Sequence, residues 1–567
     1  MSANLMKKSR ASAIVLYVGL CAILFLSLAP LVAFLKVSLA RALTAGMTHA
    51  VSDPNSAIDN QWQVFAAIPV AIVLKSLRFT LLQSAASTML ALAIGLPGAW
   101  LAARFDFRGR RVLLALAAIP FCFPPILVIL AFILYYGKEG MLSQVYALVG
   151  GRSHEYRGLL YSFWGIVMVH AFYNFPIAVH QVSAHWMRIP TSQSEAARTL
   201  GAGKIRAFRV GVLPELLPSV TQAAGLIFLY CFFSFTTVLV FGGRAGTTLE
   251  VRIYQALRYQ SNLPLSTVYA AVETLFALAS IYVLTRHGRK GIAHASDYGR
   301  IQGRAKASGA SKLIVLAYEV FIVIFFLGPL AAIVVEAFRV PSSFGGATVF
   351  GLGNFSRLLR GFQAPLPQAM LATIKLSGSA ALLATFFGAA ASASIYFLRK
   401  SGQNSAFTRA IEMSQWLPLA VSPAILAYGW LFLSSNHMES YALVAAQAAI
   451  AWPFVSRSLH AALQALNPNA REAARTLGAS PLRSFVSVEL KTIAPSIAAA
   501  AAFAFSITAG DANVPLMLGI SDHETLPLLL YRLTAAYRFN EACAAGLALG
   551  LMTGIVFFLK EKVIDVA

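Results

Sequence analysis

The sequence predicts an all-α polytopic membrane protein of about 12 transmembrane helices, arranged as two parallel six-helix repeats. Three observations carry that expectation. Of 567 residues, 58% are hydrophobic and only 12% are charged, with a mean hydropathy of +0.70. A soluble domain is nearer about 45–50% apolar and about 25% charged, so neither a water-soluble enzyme nor a disordered chain fits. Apolar stretches recur along the whole length, and one eight-residue string occurs twice, 277 residues apart.

Hydrocarbon offers no hydrogen-bond partners, so each crossing segment must be a helix that satisfies its own backbone. In chain order the expected spans are 12–37, 73–103, 112–137, 159–186, 213–242 and 265–285, then 313–337, 368–398, 410–433, 442–456, 492–518 and 543–559. The first follows Lys7, Lys8 and Arg10 but is too long for an ordinary signal peptide, so it reads as a signal anchor. A Gly-, Ser-, Arg- and Lys-containing stretch over 288–311 interrupts the apolar pattern near the middle and reads as a flexible linker. This divides the chain into a first repeat, 1–290 (core 73–286), a cytoplasmic linker, 291–311, and a second repeat, 312–567 (core 368–560).

Charge sets the expected orientation. With the N-terminus inside, the seven cytoplasmic segments carry 29 Lys and Arg, against 12 in the six opposite loops. Basic residues collect on the cytoplasmic side, so both termini are expected there. The same bias accounts for most of the +23 net charge, leaving no need for a nucleic-acid partner. Cys21, Cys122, Cys231 and Cys543 all lie in or beside apolar runs; they suggest neither a disulfide framework nor a metal cluster.

The repeated string is Glu195-Ala196-Ala197-Arg198-Thr199-Leu200-Gly201-Ala202, matched by Glu472-Ala473-Ala474-Arg475-Thr476-Leu477-Gly478-Ala479. At the same separation Pro176 falls on Pro453, Pro218 on Pro495, Gly242 on Gly519 and Tyr254 on Tyr531. An even number of spans per half keeps the halves parallel, and parallel repeats place a pathway at their interface. Each copy reads as a short helix on the membrane surface. Its carboxylate favours the positive helix end, small residues can approach a partner, and Gly201 or Gly478 can end it with positive φ. Taken from the residues alone, an ordinary interfacial helix would look the same.

Glu195-Ala196-Ala197 with Gly201 and Leu217-Pro218, and Glu472-Ala473-Ala474 with Gly478 and Ala494-Pro495, resemble the EAA loop of binding-protein-dependent ABC importer permeases. The resemblance covers essentially the whole chain, each half matching one permease subunit. It implies that Glu195, Ala196, Ala197, Gly201, Glu472, Ala473, Ala474 and Gly478 couple to two copies of a separate ATPase. It also implies a periplasmic or lipid-anchored solute-binding protein, a lipid environment and a bacterial inner membrane. No Gly-x-x-x-x-Gly-Lys-Ser/Thr loop is present, so ATP and Mg are expected on the partner subunit, with no cofactor on this chain and no enzymatic activity of its own.

Short stretches look similar to thiamine permeases: Tyr136-Gly137 with Gly140, His170 to Pro176, Phe235 to Gly243, Thr247 to Glu250, Ile253 to Leu257, Thr525-Leu526-Pro527 with Tyr531, and Tyr537-Arg538. Ferric-iron permeases share some of them, and phosphonate or polyamine importers are more distant alternatives. Thiamine is the expected cargo, and ferric iron the alternative. A twelve-span secondary transporter is the rival class. It would need several intramembrane acids for coupling and has no use for two Glu-Ala-Ala loops.

Polar residues within spans mark the candidate pathway. Asp511 aligns with Ser234, and a carboxylate there suits a cationic cargo, although a carboxylate capping a helix end reads equally from sequence. His170 and Asn174 are spaced to share a helix face, with Gln447 and Ala451 as counterparts. They read as packing glue or as pathway groups, without enough convergent ligands for a metal. Tyr254 and Tyr531 read as interfacial belt residues or as surfaces for a cationic ring. Glu273 and Glu319 are further intramembrane acids, expected to hydrogen-bond between helices. No arrangement for catalysis presents itself.

Overall fold

The structure, a computed structural model, describes residues 24–50, 70–115, 123–138, 140–148, 160–190, 192–243, 245–295, 305–340, 348–360, 365–400, 415, 418, 420–434, 439–519 and 523–566. Lys7, Lys8, Arg10, Cys21 and Cys122 lie outside them, so the signal-anchor reading does too. The helices used below are α1 (Ala29–Ala50), α2 (Val70–Arg104), α3 (Pro125–Tyr136), α4 (Phe163–Trp186), α5 (Ser192–Thr199), α6 (Lys204–Gly211), α7 (Leu213–Phe232), α8 (Thr236–Phe241), α9 (Leu249–Arg258), α10 (Leu263–Ala295) and α11 (Ala310–Ile322). They continue with α12 (Gly328–Phe338), α13 (Gly353–Arg360), α14 (Pro365–Lys400), α15 (Pro423–Leu433), α16 (Glu439–Gln464), α17 (Pro468–Thr476), α18 (Ala494–Ala509), α19 (Asn513–Leu518), α20 (Leu526–Ala535) and α21 (Phe539–Val566). Among the described residues, strand is confined to two short ladders, Phe105–Asp106 with Ala305–Lys306 and Arg339–Val340 with Val349–Phe350.

Among the described residues, eight helices are long and apolar enough to cross a membrane, or nine if Phe485–Thr492 and Ala494–Ala509, bent by 58°, form one span. The three remaining expected spans also carry helix. The described part of the first begins at Leu24, α4 is diluted by His170, Asn174, His180 and Gln181, and the described part of the ninth is α15. The chain is thus an all-α polytopic membrane protein. Helix α10 runs on to Ala295, into the stretch expected to be linker.

Two compact units emerge, and they partition the chain differently from the duplication. One comprises 69–252 and 271–350; the other comprises 1–68, 253–270 and 351–567. In the first unit α2, α4 and α7 pack against one another, and α12, from the start of the second repeat, packs on α3. In the second unit α14, α16 and α18 form the corresponding bundle, and α1, from the start of the first repeat, packs on α15. The first span of each repeat therefore lies against the third span of the other. Phe326 stacks on Phe172 at 4.4 Å, and Phe34 stacks on Phe432 at 6.1 Å. Both exchanged spans contain a π turn, Leu24–Leu28 or Val323–Leu327, directly before an Ala29-Pro30 or Gly328-Pro329 step. Proline lacks the N–H that a regular helix would bond at that point, and the ladder widens there.

Small residues let the spans approach closely, which is how helices associate in lipid. A Cβ at Gly95 would lie 2.7 Å from Ala178 Cβ and 2.8 Å from the Phe175 carbonyl. In the other unit a Cβ at Gly388 would lie 2.7 Å from Val455 Cβ and 3.0 Å from the Trp452 carbonyl. Along α2 the buried hydroxyls form a ladder: Thr80 donates to the Ser76 carbonyl, Ser84 to Thr80 and Thr88 to Ser84. Each is satisfied within its own helix. Thr80 also accepts from the Leu249 N–H at 3.0 Å, and Thr373 accepts from Leu526 N–H at 2.8 Å. One hydroxyl in each unit thus holds the start of α9 or α20.

Candidate functional site: surface loops and buried polar pairs

The repeated string folds into the same object twice. Helix α5 ends where Gly201 turns at φ +85°, and α17 ends where Gly478 turns at φ +87°. The Ala202 N–H reaches back to the Ala197 carbonyl at 3.0 Å, and Ala479 reaches Ala474 at 3.0 Å. These bonds close a left-handed C-terminal cap that glycine adopts without strain. Thr199 and Thr476 each donate to the carbonyl three residues back, Ala196 and Ala473, at 2.7 and 2.8 Å. Glu195, Ala196, Glu472 and Ala473 are exposed, Ala197 and Ala474 half-buried. Leu200 and Leu477 are each 88% exposed, and a Cβ at either glycine would meet nothing within 4 Å. An apolar side chain held out beside an empty turn is a ready contact surface.

Beneath the first loop, Val182, Ile189, Val212 and Leu216 form a dry base with Trp186 and Phe208 packed against it. Gly211 lets α6 cross the start of α5, since its Cβ would lie 3.0 Å from the Ser194 nitrogen. The second copy has Val488 there, within a π turn over Phe485–Glu489. In that copy Glu489 is buried and accepts from the Tyr396 hydroxyl at 2.9 Å. The helix starts differ as well. Glu195 lies in the first turn of α5, but α17 begins at Pro468, one position earlier, with the Asn467 carboxamide accepting from the Asn469 N–H at 3.0 Å. Glu472 therefore falls beyond the first turn, and the helix-dipole argument applies to Glu195 alone.

Inside the bundles, the expected pathway residues fall into pairs. His170 Nε2 meets Ser234 Oγ at 2.7 Å, and Nδ1 meets Ser87 Oγ at 3.2 Å. Asn174 donates to the His170 carbonyl at 2.9 Å, and Gln83 donates to the Cys231 carbonyl at 2.7 Å. All are buried. In the other unit Gln447 donates to Asp511 Oδ2 at 3.2 Å and to the Thr508 carbonyl at 3.1 Å. Asp511 Oδ1 accepts from the Asn513 N–H at 2.9 Å and the Val514 N–H at 3.5 Å, capping α19. The carboxylate thus has the helix-end environment that was one of its two readings. The repeat carries His170 onto Gln447 and Ser234 onto Asp511, so one pair of positions meets in both units with different chemistry.

Tyr254 and Tyr531, one from each repeat, both belong to the second unit. Tyr254 is buried, its ring 5.6 Å from Tyr259 and perpendicular to it. Burial, then the hydrogen bond to Tyr259, pushes the Tyr254 hydroxyl above its ordinary range. Tyr531, half-buried, is raised chiefly by burial and further by Tyr259. Tyr428 hydrogen-bonds the Arg258 guanidinium, which lies over Gly519 where the backbone turns at φ +68°.

The sequence reading did not anticipate the partner of Glu273. It is Glu250, and the two fully buried carboxyl groups share one site in the first unit. No signal in the sequence links them, because the contact joins α9 to α10 across an intervening turn. Glu319 packs against Gly109 at the turn after α2, and its neighbour Tyr318 donates to the Ile94 carbonyl at 3.1 Å. Cys231 and Cys543 are buried, and among the described residues no three His, Cys, Asp or Glu converge on a metal-sized site.

A duplicated bundle of spanning helices, with polar pairs inside and matching loops outside, is the architecture of a transport permease. The chain belongs to the binding-protein-dependent transport system inner membrane components, the permease subunits of ABC importers; that family is matched twice, over residues 94–289 and 384–561. Members lie in the inner membrane and work with a solute-binding protein and an ATPase. The thiamine transport system permease protein ThiP of Brucella abortus is 28% identical over 495 residues, covering 86% of this chain and 87% of its own. ThiP of Escherichia coli is 27% identical over 496 residues, covering 86% and 88%. The Fe(3+)-transport system permease protein FbpB 2 of Haemophilus influenzae is 23% identical over 489 residues, covering 85% and 88%.

Proposed function

We propose that this chain forms the translocation pathway of an ATP-driven importer for thiamine and is coupled to two copies of an ATPase through Glu195 to Gly201 and Glu472 to Gly478. ATP and Mg sit on the ATPase, and a periplasmic or lipid-anchored binding protein delivers the solute. Both termini lie in the cytoplasm. One observation carries the coupling: the two loops keep the same cap, the same back-bonded threonine and the same exposed leucine. A closing ATPase dimer has two equivalent faces and needs two equivalent handles. Pulling on both drives the permease between inward and outward access, and the chain itself makes and breaks no bond.

Thiamine is favoured by the similarity to two ThiP proteins over most of the chain. A second reading, ferric iron, is favoured by the match to FbpB 2 and by the Asp511 carboxylate. The test is uptake of labelled thiamine and ferric iron in cells depleted of their own importers, with the neighbouring binding protein and ATPase co-expressed. A Gly201→Asp/Gly478→Asp variant is the uncoupled control. Thiamine uptake that is lost in the variant and survives collapse of the proton gradient is the expected result. Iron uptake with the same loss would overturn the cargo, and transport that survived both glycine changes would overturn the coupling loops.

A further inference from the structure

An apolar groove of about 590 Å³ runs along the second unit between α14, α18 and α21, with α13 at one end. Its lining includes Phe355 of α13, Ile374 of α14, Phe505 of α18, and Ala548, Met552 and Val556 of α21. The last three recur every four residues, so they form one stripe along a helix face. Eight steps from Ala548 to Val556 cover about 12 Å at about 1.5 Å per residue. One leaflet contributes about 15 Å of a hydrocarbon core of about 30 Å.

The end at α13 differs in chemistry. Arg357 donates to Asn354 Oδ1 at 2.9 Å and pairs with Glu541 Oε1 at 3.5 Å. Glu541 also pairs with Arg538, and Arg360 at the end of α13 is exposed. Three arginines against one carboxylate leave this rim positive. A dry groove about one leaflet deep, with a cationic rim at one end, has the polarity of a single phospholipid.

We propose that this groove holds the acyl chain of a phospholipid whose phosphate sits at the rim formed by Arg357 and Arg360. The bound lipid would fix α13 against α21 and shape the boundary of the second unit. The first repeat has no matching rim, since at the separation of 277 residues Glu541 and Arg538 fall on Pro264 and Ser261.

The full chain in nanodiscs, doped with a phospholipid carrying a photoactivatable acyl chain, tests this. Peptide mapping after illumination is expected to concentrate label on α21 and α13. Ala548→Trp, which fills the groove, is expected to cut that label about tenfold. Ile374→Trp, at a position already 47% exposed, is expected to do the same without disturbing the bundle. Arg360→Ala is expected to lower labelling by the phospholipid but not by a diacylglycerol with the same photoactivatable group, which has no anionic head. Label spread evenly over α2 and α21, or unchanged in both tryptophan variants, would overturn the groove. Equal loss of both probes in Arg360→Ala would overturn the phosphate contact.

Discussion

At the exposed loops, Ala202 and Ala479 donate over the same 3.0 Å to Ala197 and Ala474, and Leu200 and Leu477 stand equally clear of the fold. Inside the bundles, equivalent positions hold His170 with Ser234 in one unit and Gln447 with Asp511 in the other. Geometry is retained in both places, while chemistry is retained only outside. Under the proposed coupling, a handle for two identical ATPases has to stay twofold. Under the proposed pathway, a lining for one asymmetric solute does not, and a duplicated chain is free to let its two linings diverge.

That contrast can be broken at the loops first. Gly201→Asp with Gly478→Asp is expected to drop uptake to background with normal amounts of protein in the membrane. The new side chains enter open space and leave the core untouched, but at φ +85° and +87° each strains its exposed cap by about 1–2 kcal/mol, besides adding charge to the proposed docking face. Each single variant should lose a comparable share. A strongly unequal loss, read by uptake at matched expression, would show that the handles are not equivalent.

The close approaches come next. Gly95→Ala and Gly388→Ala each force a Cβ within 3 Å of the facing helix, an overpacking that costs about 1–3 kcal/mol. Both are expected to lower thermal stability in detergent by similar amounts. At the polar pairs, His170→Ala leaves the Ser87 and Ser234 hydroxyls without their partner, at about 1–3 kcal/mol. His170→Gln, which imports the residue of the other repeat, is expected to recover most of that stability. Asp511→Asn keeps an oxygen for the Asn513 N–H, whereas Asp511→Ala removes the cap at about 1 kcal/mol. Under the pathway reading Asp511→Asn lowers uptake several-fold with stability near normal. Unchanged uptake would leave Asp511 a cap and nothing more.

Much of this is legible in the sequence. The one offset that joins Glu195 to Glu472 also predicts both glycine turns, because a helix followed by Gly201 or Gly478 has a local solution that needs no tertiary partner. The pairing of His170 with Ser234 is less visible, since the two lie 64 residues apart and no pattern in the sequence joins them. The meeting of Glu250 with Glu273 depends on how two helices rotate about their axes, and apolar periodicity is silent on that in spans buried on several sides. The earlier start of α17 comes from Asn467-Pro468, which a separation-based alignment passes over. The bend between Thr492 and Ala494 does not follow from Pro495 alone, since its counterpart Pro218 lies inside α7.

The exchanged first spans have a consequence for synthesis. Helix α1 leaves the ribosome long before α15, the surface on which it packs. Helix α3 likewise waits for α12, which belongs to the other repeat. Each half therefore needs its counterpart to cover its third span, and a chain cut after the first repeat would leave α3 without α12. Fusion into one polypeptide guarantees that each early helix meets its late partner in equal number and in the same patch of membrane.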